Sequence, residues 1–167
     1  MIINKDEQKK LMELFFVKYE KGLMPKKIEI STNDFTELVE MFKKITNDKI
    51  MIEKRGAYID IYTLSGTIDV RLRSDLAPFP TMVIVGFAFE PKRQGIGTKF
   101  LHWLKDFSVQ RGFQRLMIEN CNTEASISFA TKHGFLPLYQ QTVSGLDFDF
   151  GKSYEMYLDA TLVKQIR

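Results

Sequence analysis

The amino-acid sequence predicts a mixed α/β fold with at least one parallel pair of strands. Two runs of alternating apolar and polar residues lie between 58 and 73, and a nearly continuous apolar run follows at 81–89. From there to residue 135 the pattern is strand, helix, strand, helix. Because a right-handed helical crossover joins parallel strands, this order predicts the parallel pair.

Two amphipathic helices are predicted before the strands. Gly22 and Pro25 end the first helix, whose apolar residues recur at helical spacing and are expected to form one buried stripe: Leu11, Met12, Phe15, Phe16 and Tyr19. The second helix is predicted over 34–46, because Asp34 and Glu37 have the spacing of a capping box. Its apolar stripe consists of Phe35, Leu38, Val39 and Phe42.

The two alternating runs are predicted to form a β-hairpin. Ser65 and Gly66 suit a two-residue turn between them. That turn would set the register, since paired positions then have a constant sum, and it places Asp60 opposite Arg71. The same register pairs the apolar residues of the other face: Ile61 with Val70 and Ile59 with Leu72.

The elements after the hairpin follow from the same patterns. The apolar strand at 81–89 is expected to lie in the middle of the sheet, covered on both faces. A helix follows and stops near Gly112, with an apolar stripe of Ile96, Phe100, Leu104 and Phe107. The remaining elements are a strand at 116–119, a helix at about 123–133 that ends at Gly134, and closing strands at 136–142 and 154–158.

Composition and charge limit the classes of protein to which this chain can belong. The 167 residues are 44% hydrophobic, which is enough for a packed core in one domain, predicted to span 1–167. The net charge of +3 arises from Lys and Arg interspersed with Asp and Glu, so nucleic-acid binding is not indicated. One cysteine, Cys121, and an N-terminus without an apolar signal segment predict the cytoplasm. No apolar run reaches the roughly 20 residues of a membrane-spanning helix.

Residues 92–98, Lys-Arg-Gln-Gly-Ile-Gly-Thr, form a glycine-containing loop between a predicted strand and a predicted helix. Such a loop suits a pyrophosphate, since glycines let the backbone approach closely and a helix N-terminus carries partial positive charge. A dinucleotide-binding Rossmann loop is disfavoured because Phe100 stands where its third glycine belongs. A P-loop is disfavoured because Gly97-Thr98-Lys99 has the wrong order.

Two stretches of the chain match a known family pattern. Residues 87–101, Phe-Ala-Phe-Glu-Pro-Lys-Arg-Gln-Gly-Ile-Gly-Thr-Lys-Phe-Leu, resemble the Gln/Arg-x-x-Gly-x-Gly/Ala signature of the GNAT superfamily, with Lys92 in place of Gln or Arg. Residues 122–135, ending in Gly134-Phe135, are similar to the second conserved stretch of that family. The resemblance implies a mostly antiparallel central sheet with one parallel pair and helices on both faces.

The resemblance also implies a cofactor and its contacts. The donor is acetyl-CoA, with its pyrophosphate over the glycine loop, and the acetyl group passes directly to an amine in a ternary complex. Backbone N–H groups at the end of strand 81–89 stabilise the carbonyl oxygen, because in this family that strand splays from the next one. The expected cofactor-binding residues are Phe87, Phe89, Lys92, Arg93, Gln94, Gly95, Ile96, Gly97, Thr98, Asn122 and Phe129.

Candidates for proton transfer lie beside these residues. Glu90, directly before the loop, is the expected base for the ammonium proton, with a solvated turn residue as the competing interpretation, and Glu119 is the second candidate. The tyrosine acid of the family would fall at position 130, where this chain has Ala130. Ser126 on the same helix face is the expected substitute. Cys121 could act as a nucleophile, but a buried structural thiol is the favoured interpretation.

Three functions are compatible with these features. The leading hypothesis is an N-acetyltransferase, monomeric or homodimeric, that uses acetyl-CoA and an amine acceptor, either a small molecule or a protein. The alternative is a catalytically silent acyl-CoA-binding or protein-interaction module, which Ala130 motivates. Acetylation of aminoacyl-tRNA ranks last, because a pI near 8.9 comes without a concentrated basic face. We predict no metal site.

Overall fold

The computed structural model describes residues 3–76, 79–138 and 152–167. The helices are α1 (Lys5–Glu20), a 3-10 turn (Thr32–Phe35) continuous with α2 (Thr36–Lys43), α3 (Ile96–Gln110), α4 (Glu124–Lys132) and α5 (Ala160–Lys164). The strands are β1 (Ile50–Arg55), β2 (Tyr58–Thr63), β3 (Ile68–Asp75), β4 (Thr81–Phe89), β5 (Arg115–Ile118), β6 (Leu136–Pro137) and β7 (Tyr154–Tyr157). Within these ranges, no helix has the length and hydropathy needed to cross a bilayer.

The strands of the described ranges form one sheet in the order β1-β2-β3-β4-β5-β7-β6. β4 is the central strand, as predicted. It runs parallel to β5, whereas the other neighbouring pairs are antiparallel. α3 is the crossover between the two parallel strands, which is the connection that the strand-helix-strand order predicts. The mixed α/β class with one parallel pair is therefore confirmed.

Helices pack on both faces of this sheet. The core of one face joins α2, α3 and α4 to the strands and includes Phe42, Phe100, Ala130, Ile84, Leu116 and Met156. The core of the other face joins α1 and α5, through Leu11 and Leu162, to Tyr157 of β7. Because side chains alternate along a strand, Tyr157 and its neighbour Met156 point to opposite faces. The predicted arrangement of helices on both faces is confirmed.

The β2–β3 hairpin has the predicted register but not the predicted turn. Asp60 faces Arg71, and both predicted apolar pairs are also in place. The two-residue turn is wrong, because residues 64–67 lie outside both strands and Gly66 N donates to Thr63 O at 3.1 Å. The Thr63 hydroxyl accepts the first backbone N–H of β3 at 3.0 Å. A side chain thus replaces the backbone hydrogen bond that a tighter turn would require.

β1 and its hairpin to β2 are additional to the prediction, as is α5. Arg55 pairs with Tyr58, so Gly56 and Ala57 form a two-residue turn. Gly56 has a φ of 61°, which glycine adopts without strain. The two-residue turn of this sheet therefore lies one hairpin earlier than predicted.

The apolar stripe of α1 is only partly buried, which corrects the prediction. Leu11 is buried and Phe15 packs against it, but Phe16 and Tyr19 are 46% and 62% exposed. The helix is rotated so that the row Gln8, Leu11 and Phe15 faces the sheet. Buried Gln8 sets this rotation, because its amide donates two hydrogen bonds to groups on the sheet side of the helix.

The start of α2 also differs from the prediction. The capping box is formed by Ser31 and Asp34, with Ser31 N donating to Asp34 Oδ2 at 2.7 Å, and not by Asp34 and Glu37. The 3-10 turn follows this box, and α2 then ends at Lys43, three residues before the predicted end at 46. The predicted stripe is in place, with Phe35, Leu38 and Phe42 fully buried and Val39 partly buried.

The later elements lie within a few residues of their predicted positions. α3, β5 and α4 match, and Gly134 follows α4 with a φ of 82°. β4 is covered on both faces only in its first half, since Gly86 and Ala88 are exposed. The predicted strand at 136–142 is observed as β6, and its residues 139–142 lie outside the described residues.

A buried ion pair connects the sheet to α1. Arg115 Nη1 of β5 lies 2.9 Å from Glu155 Oε2 of β7, and the two side chains are 3% and 1% exposed. Gln8 donates to the other carboxylate oxygen of Glu155 at 2.9 Å. The Thr81 hydroxyl accepts from Arg115 Nε at 3.0 Å. These partners satisfy the buried charges, which would otherwise carry a large desolvation cost.

We expect Glu155→Gln to lower the free energy of unfolding by about 3–5 kcal/mol, because it removes the negative charge that is paired with the buried guanidinium of Arg115. Urea denaturation measures this. The matched control is Glu40→Gln, which breaks the exposed pair with Lys43 and should change the free energy by about 0.5 kcal/mol or less. If Glu155→Gln lowers the free energy of unfolding as little as Glu40→Gln does, the stabilising role of the buried pair is contradicted.

Candidate active site

Hydrogen-bonded pairing between β4 and β5 ends halfway along β4. The last paired residues are Ile84 and Ile118, and Glu119 N donates one further bond to Ile84 O at 3.0 Å. Beyond this point, residues 86–89 pair with β3 alone, and no strand among the described residues pairs with their other edge. The sheet therefore opens into a cleft between β4 and the segment that follows β5.

A β-bulge lies at the mouth of this cleft. Leu72 of β3 pairs with Ile84 and Arg71 pairs with Gly86, so Val85 is the extra residue on β4. Because of this extra residue, the side chains after the bulge point to the opposite face of the sheet from the one that strict alternation would give. Phe87 and Phe89 consequently join the core beside α3, whereas Gly86 and Ala88 are exposed on the opposite face.

The glycine loop occupies the far end of β4. Its residues 92–95 are exposed, and both Arg93 and Gly95 have positive φ values, 63° and 75°. Gly95 is the N-cap residue of α3 and provides no side chain to cap the helix. The first N–H groups of α3 are therefore directed to the open side of the loop, where an anion can accept them. Buried Ile96 anchors this first turn in the core.

Charged and polar side chains surround the loop. Lys92 extends into solvent, with Nζ 3.7 Å from Glu90 Oε1. The Thr98 hydroxyl lies 3.4 Å from Nε2 of His133, at the end of α4. Burial, with His102 and Lys132 nearby, lowers the pKa of His133, so its imidazole is neutral at pH 7. Of the expected cofactor residues, Lys92, Gly95 and Thr98 are thus grouped at one helix end.

Aromatic rings bring the apolar cofactor candidates together. The rings of Phe87 and Phe129 lie 5.0 Å apart, and those of Phe89 and Phe100 lie 5.5 Å apart. A Cβ atom added to Gly97 would lie 3.3 Å from Cε2 of Phe129. Glycine at 97 therefore allows α4 to pack closely against the start of α3, and this contact closes one side of the cleft.

The N-terminus of α4 contains Ser126 and the neighbouring polar residues. Thr123 is the N-cap, and its hydroxyl accepts from Ser126 N at 3.1 Å. The Ser126 hydroxyl lies 2.8 Å from Thr123 O, to which it donates, and accepts from Thr123 N at 3.1 Å. Asn122 is exposed just before this cap, and Ala130, one turn after Ser126, is fully buried. Ser126 thus completes a capping box.

Cys121 is buried between β5 and α4. Its backbone N donates to Lys152 O at 2.7 Å. Burial raises the pKa of the Cys121 thiol, although the neighbouring Ser126 hydroxyl opposes this effect. The side chain is therefore a neutral thiol at pH 7, as expected for a structural cysteine.

The two candidate carboxylates occupy opposite ends of the open part of β4. Glu119 follows the last paired residue of β5, at the mouth of the cleft. Glu90 lies at the loop end, five residues after Val85, which corresponds to about 16 Å along an extended strand. Glu119 is held by Arg73 of β3, with Nη2 2.6 Å from Oε1. Only Glu119 lies where β4 and β5 separate.

Sequence reasoning did not identify Arg73 as a residue of this cleft. Arg73 lies opposite Val83 of β4, and its side chain reaches across that strand to Glu119. The alternating pattern of the hairpin places Arg73 on its polar face. The partner of Arg73 cannot be read from that pattern, because it depends on which strands follow β3 in the sheet. No cluster of His, Cys, Asp and Glu in the described ranges is arranged to hold a metal ion.

The sequence matches the model of the acetyltransferase (GNAT) family over residues 19–135, which is well over half of the chain. The chain therefore belongs to the GNAT acetyltransferase family. Its reaction class is acetyl transfer, for which this family generally uses acetyl-CoA as the donor. No curated protein matches the sequence significantly.

Several solved acetyltransferase structures are similar to this chain. Tetrahymena GCN5 has 17% identity and a TM-score of 0.47, covering 63% of this chain and 71% of that one. Nourseothricin acetyltransferase has 16% identity and a TM-score of 0.43, covering 61% and 65%. An acetyltransferase of the GNAT family from Staphylococcus aureus has 12% identity and a TM-score of 0.45, covering 95% and 98%. The family assignment rests on the sequence match.

We expect Ser126→Ala to destabilise the protein by about 1 kcal/mol, because it removes one side of the capping box of α4. Thermal unfolding measures this, and Ser128→Ala on the exposed face of the same helix is the control. Unchanged stability together with a roughly hundredfold fall in turnover would instead support the predicted role of Ser126 as an acid.

Proposed function

We propose that this chain is an N-acetyltransferase that moves the acetyl group of acetyl-CoA to a primary amine by direct attack. The observation that carries the proposal is the cleft between β4 and β5, which has an anion-binding loop at one end and a fixed carboxylate at the other. The acceptor is an amine of a small molecule or a protein, and the cytoplasmic location, the single domain over 1–167 and a monomeric or dimeric state remain predictions.

The glycine loop is proposed to hold the pyrophosphate of the cofactor. The N–H groups at the start of α3 and the cations Lys92 and Arg93 supply donors and positive charge. The pantetheine arm would then follow the outer edge of β4 toward Val85, beside the rings of Phe87 and Phe129. Since no described strand pairs with this edge beyond Ile84, its backbone groups can pair with the amide groups of that arm.

Backbone N–H groups of β4 near the bulge are proposed to stabilise the negative charge that develops on the thioester carbonyl oxygen. Such donors are effective because the strand fixes them before the reaction begins. In the transfer, the amine nitrogen forms a bond to the carbonyl carbon, the C–S bond breaks, and its electron pair leaves with sulfur. The proton released by the ammonium group goes to a carboxylate of the enzyme.

We propose Glu119 as this carboxylate, in place of the first candidate, Glu90. Glu119 lies at the mouth of the cleft, where the thioester would be, whereas Glu90 lies beside Lys92 at the loop. A base must come within hydrogen-bond reach of the proton that it takes, directly or through one water molecule. Position therefore favours Glu119 over Glu90.

No side chain is assigned as the acid that protonates the leaving sulfur. Ala130 has no proton to give, and the Ser126 hydroxyl donates to Thr123 O within the helix cap. A CoA thiolate is a stable leaving group near neutral pH, so departure without an acid is chemically reasonable. The Ala130 position therefore does not exclude catalysis.

Gly95→Glu and Gly97→Glu are each expected to abolish CoA binding in calorimetry. The added carboxylate repels the pyrophosphate, and the side chain either strains the positive φ of Gly95 or collides with Phe129. Val109→Glu adds the same charge at the exposed far end of α3 and should bind CoA like the wild type. Unchanged affinity in both glycine variants would refute the loop assignment.

Glu119→Gln is expected to lower turnover by about a hundredfold or more while leaving CoA affinity intact, because it removes the proton acceptor without changing the loop. The assay follows thiol release from acetyl-CoA with a panel of amines. Glu90→Gln is the matched comparison and should retain most activity. If Glu90→Gln instead loses turnover and Glu119→Gln retains it, Glu90 is the base. CoA binding without thiol release for any amine in the wild type would favour the silent acyl-CoA-binding module.

A further inference from the structure

Arg73 and Glu119 form a two-point contact across the central strand. Arg73 Nη2 lies 2.6 Å from Glu119 Oε1, and Nη1 lies 3.4 Å from Oε2. The side chains are 20% and 22% exposed, so water competes only weakly for these hydrogen bonds. A guanidinium that contacts both oxygens fixes the orientation of a carboxylate as well as its position.

Other groups fix Arg73 itself. Asp75 Oδ2, two residues further along β3, lies 3.2 Å from Arg73 Nη2. The Tyr58 ring of β2 lies 5.9 Å from the guanidinium carbon, close enough for a cation–π contact. Arg73 is therefore held from two strands before it contacts Glu119.

We propose that Arg73 is the positioning residue of the catalytic base, and this inference rests on the proposed role of Glu119. Its guanidinium holds the Glu119 carboxylate at the mouth of the cleft in one position and orientation. A carboxylate fixed in this way can accept the ammonium proton of the acceptor without first having to reorient. Arg73 acts through Glu119 and contacts neither cofactor nor acceptor.

The surroundings of Glu119 assign this effect to Arg73. From β3 the charged groups are Arg73 and Asp75, and from β2 the titratable neighbour is Tyr58. Along β5 on the same face, the nearest charged residue in sequence is Arg115, whose charge is paired with Glu155 of β7. In the part of the chain that the structure describes, Arg73 is thus the cation that contacts the proposed base.

The test compares turnover with the KM for acetyl-CoA in Arg73→Gln. Turnover at neutral pH should fall about tenfold or more, because the carboxylate is no longer held in place. CoA affinity should be unchanged, since the glycine loop is untouched.

Arg73→Lys separates charge from geometry. Lysine keeps the positive charge but lacks the planar fork that contacts both carboxylate oxygens, so turnover should remain reduced. Arg71→Gln is the matched control. Arg71 lies two residues away on the same face and contacts the same Tyr58 ring, but its partner is Asp60. It should leave turnover near the wild-type value.

A variant pair distinguishes failure of this inference from failure of the proposed function. If Glu119→Gln is fully active, the base assignment fails. If Glu119→Gln is inactive but Arg73→Gln keeps the wild-type turnover, only the inference about Arg73 is overturned. In the Glu119→Gln background, Arg73→Gln should cause no further loss of rate, because both act on one function. Should Arg73→Gln not fold, wild-type turnover in Arg73→Lys overturns the inference.

Discussion

The architecture of the site depends on the point at which β4 stops pairing with β5. Up to Ile84 and Ile118 the two strands satisfy each other's backbone groups, and the side chains there are buried on both faces. Past that point no described strand pairs with the outer edge of β4, and we propose that its N–H and C=O groups face the cofactor there. The cleft, its backbone donors and the location of Glu119 all follow from this interruption.

Packing fixes the two ends of the cleft relative to each other. Ile96 and Phe100 are buried in the core, so α3 holds the glycine loop rigidly even though the loop itself is exposed. At the other end, Arg73 connects β3 to Glu119 across the central strand. A site of this kind benefits from rigid secondary structure, because small displacements of reacting groups reduce rates strongly.

Local patterns predicted those features of the fold that depend on neighbours in the chain. The register that pairs Asp60 with Arg71 follows from a turn centred on Ser65 and Gly66, and the glycine loop follows from its place between a strand and a helix. The turn at 64–67 and the rotation of α1 were missed because they depend on contacts of Thr63 and Gln8. The importance of Arg73 required the strand order, which no local pattern specifies.

The bulge at Val85 explains why the second half of β4 has aromatic residues on the core face and small residues on the exposed face. Without it, strict alternation would place Gly86 and Ala88 on the core face of Ile84, and would turn Phe87 and Phe89 outward. With it, the rings face α3 and α4, beside the edge that the pantetheine arm would follow, and the small residues share the open face with Arg73. That face is the side from which a polar acceptor can approach Glu119, so a single inserted residue separates the apolar and polar sides of the proposed reaction.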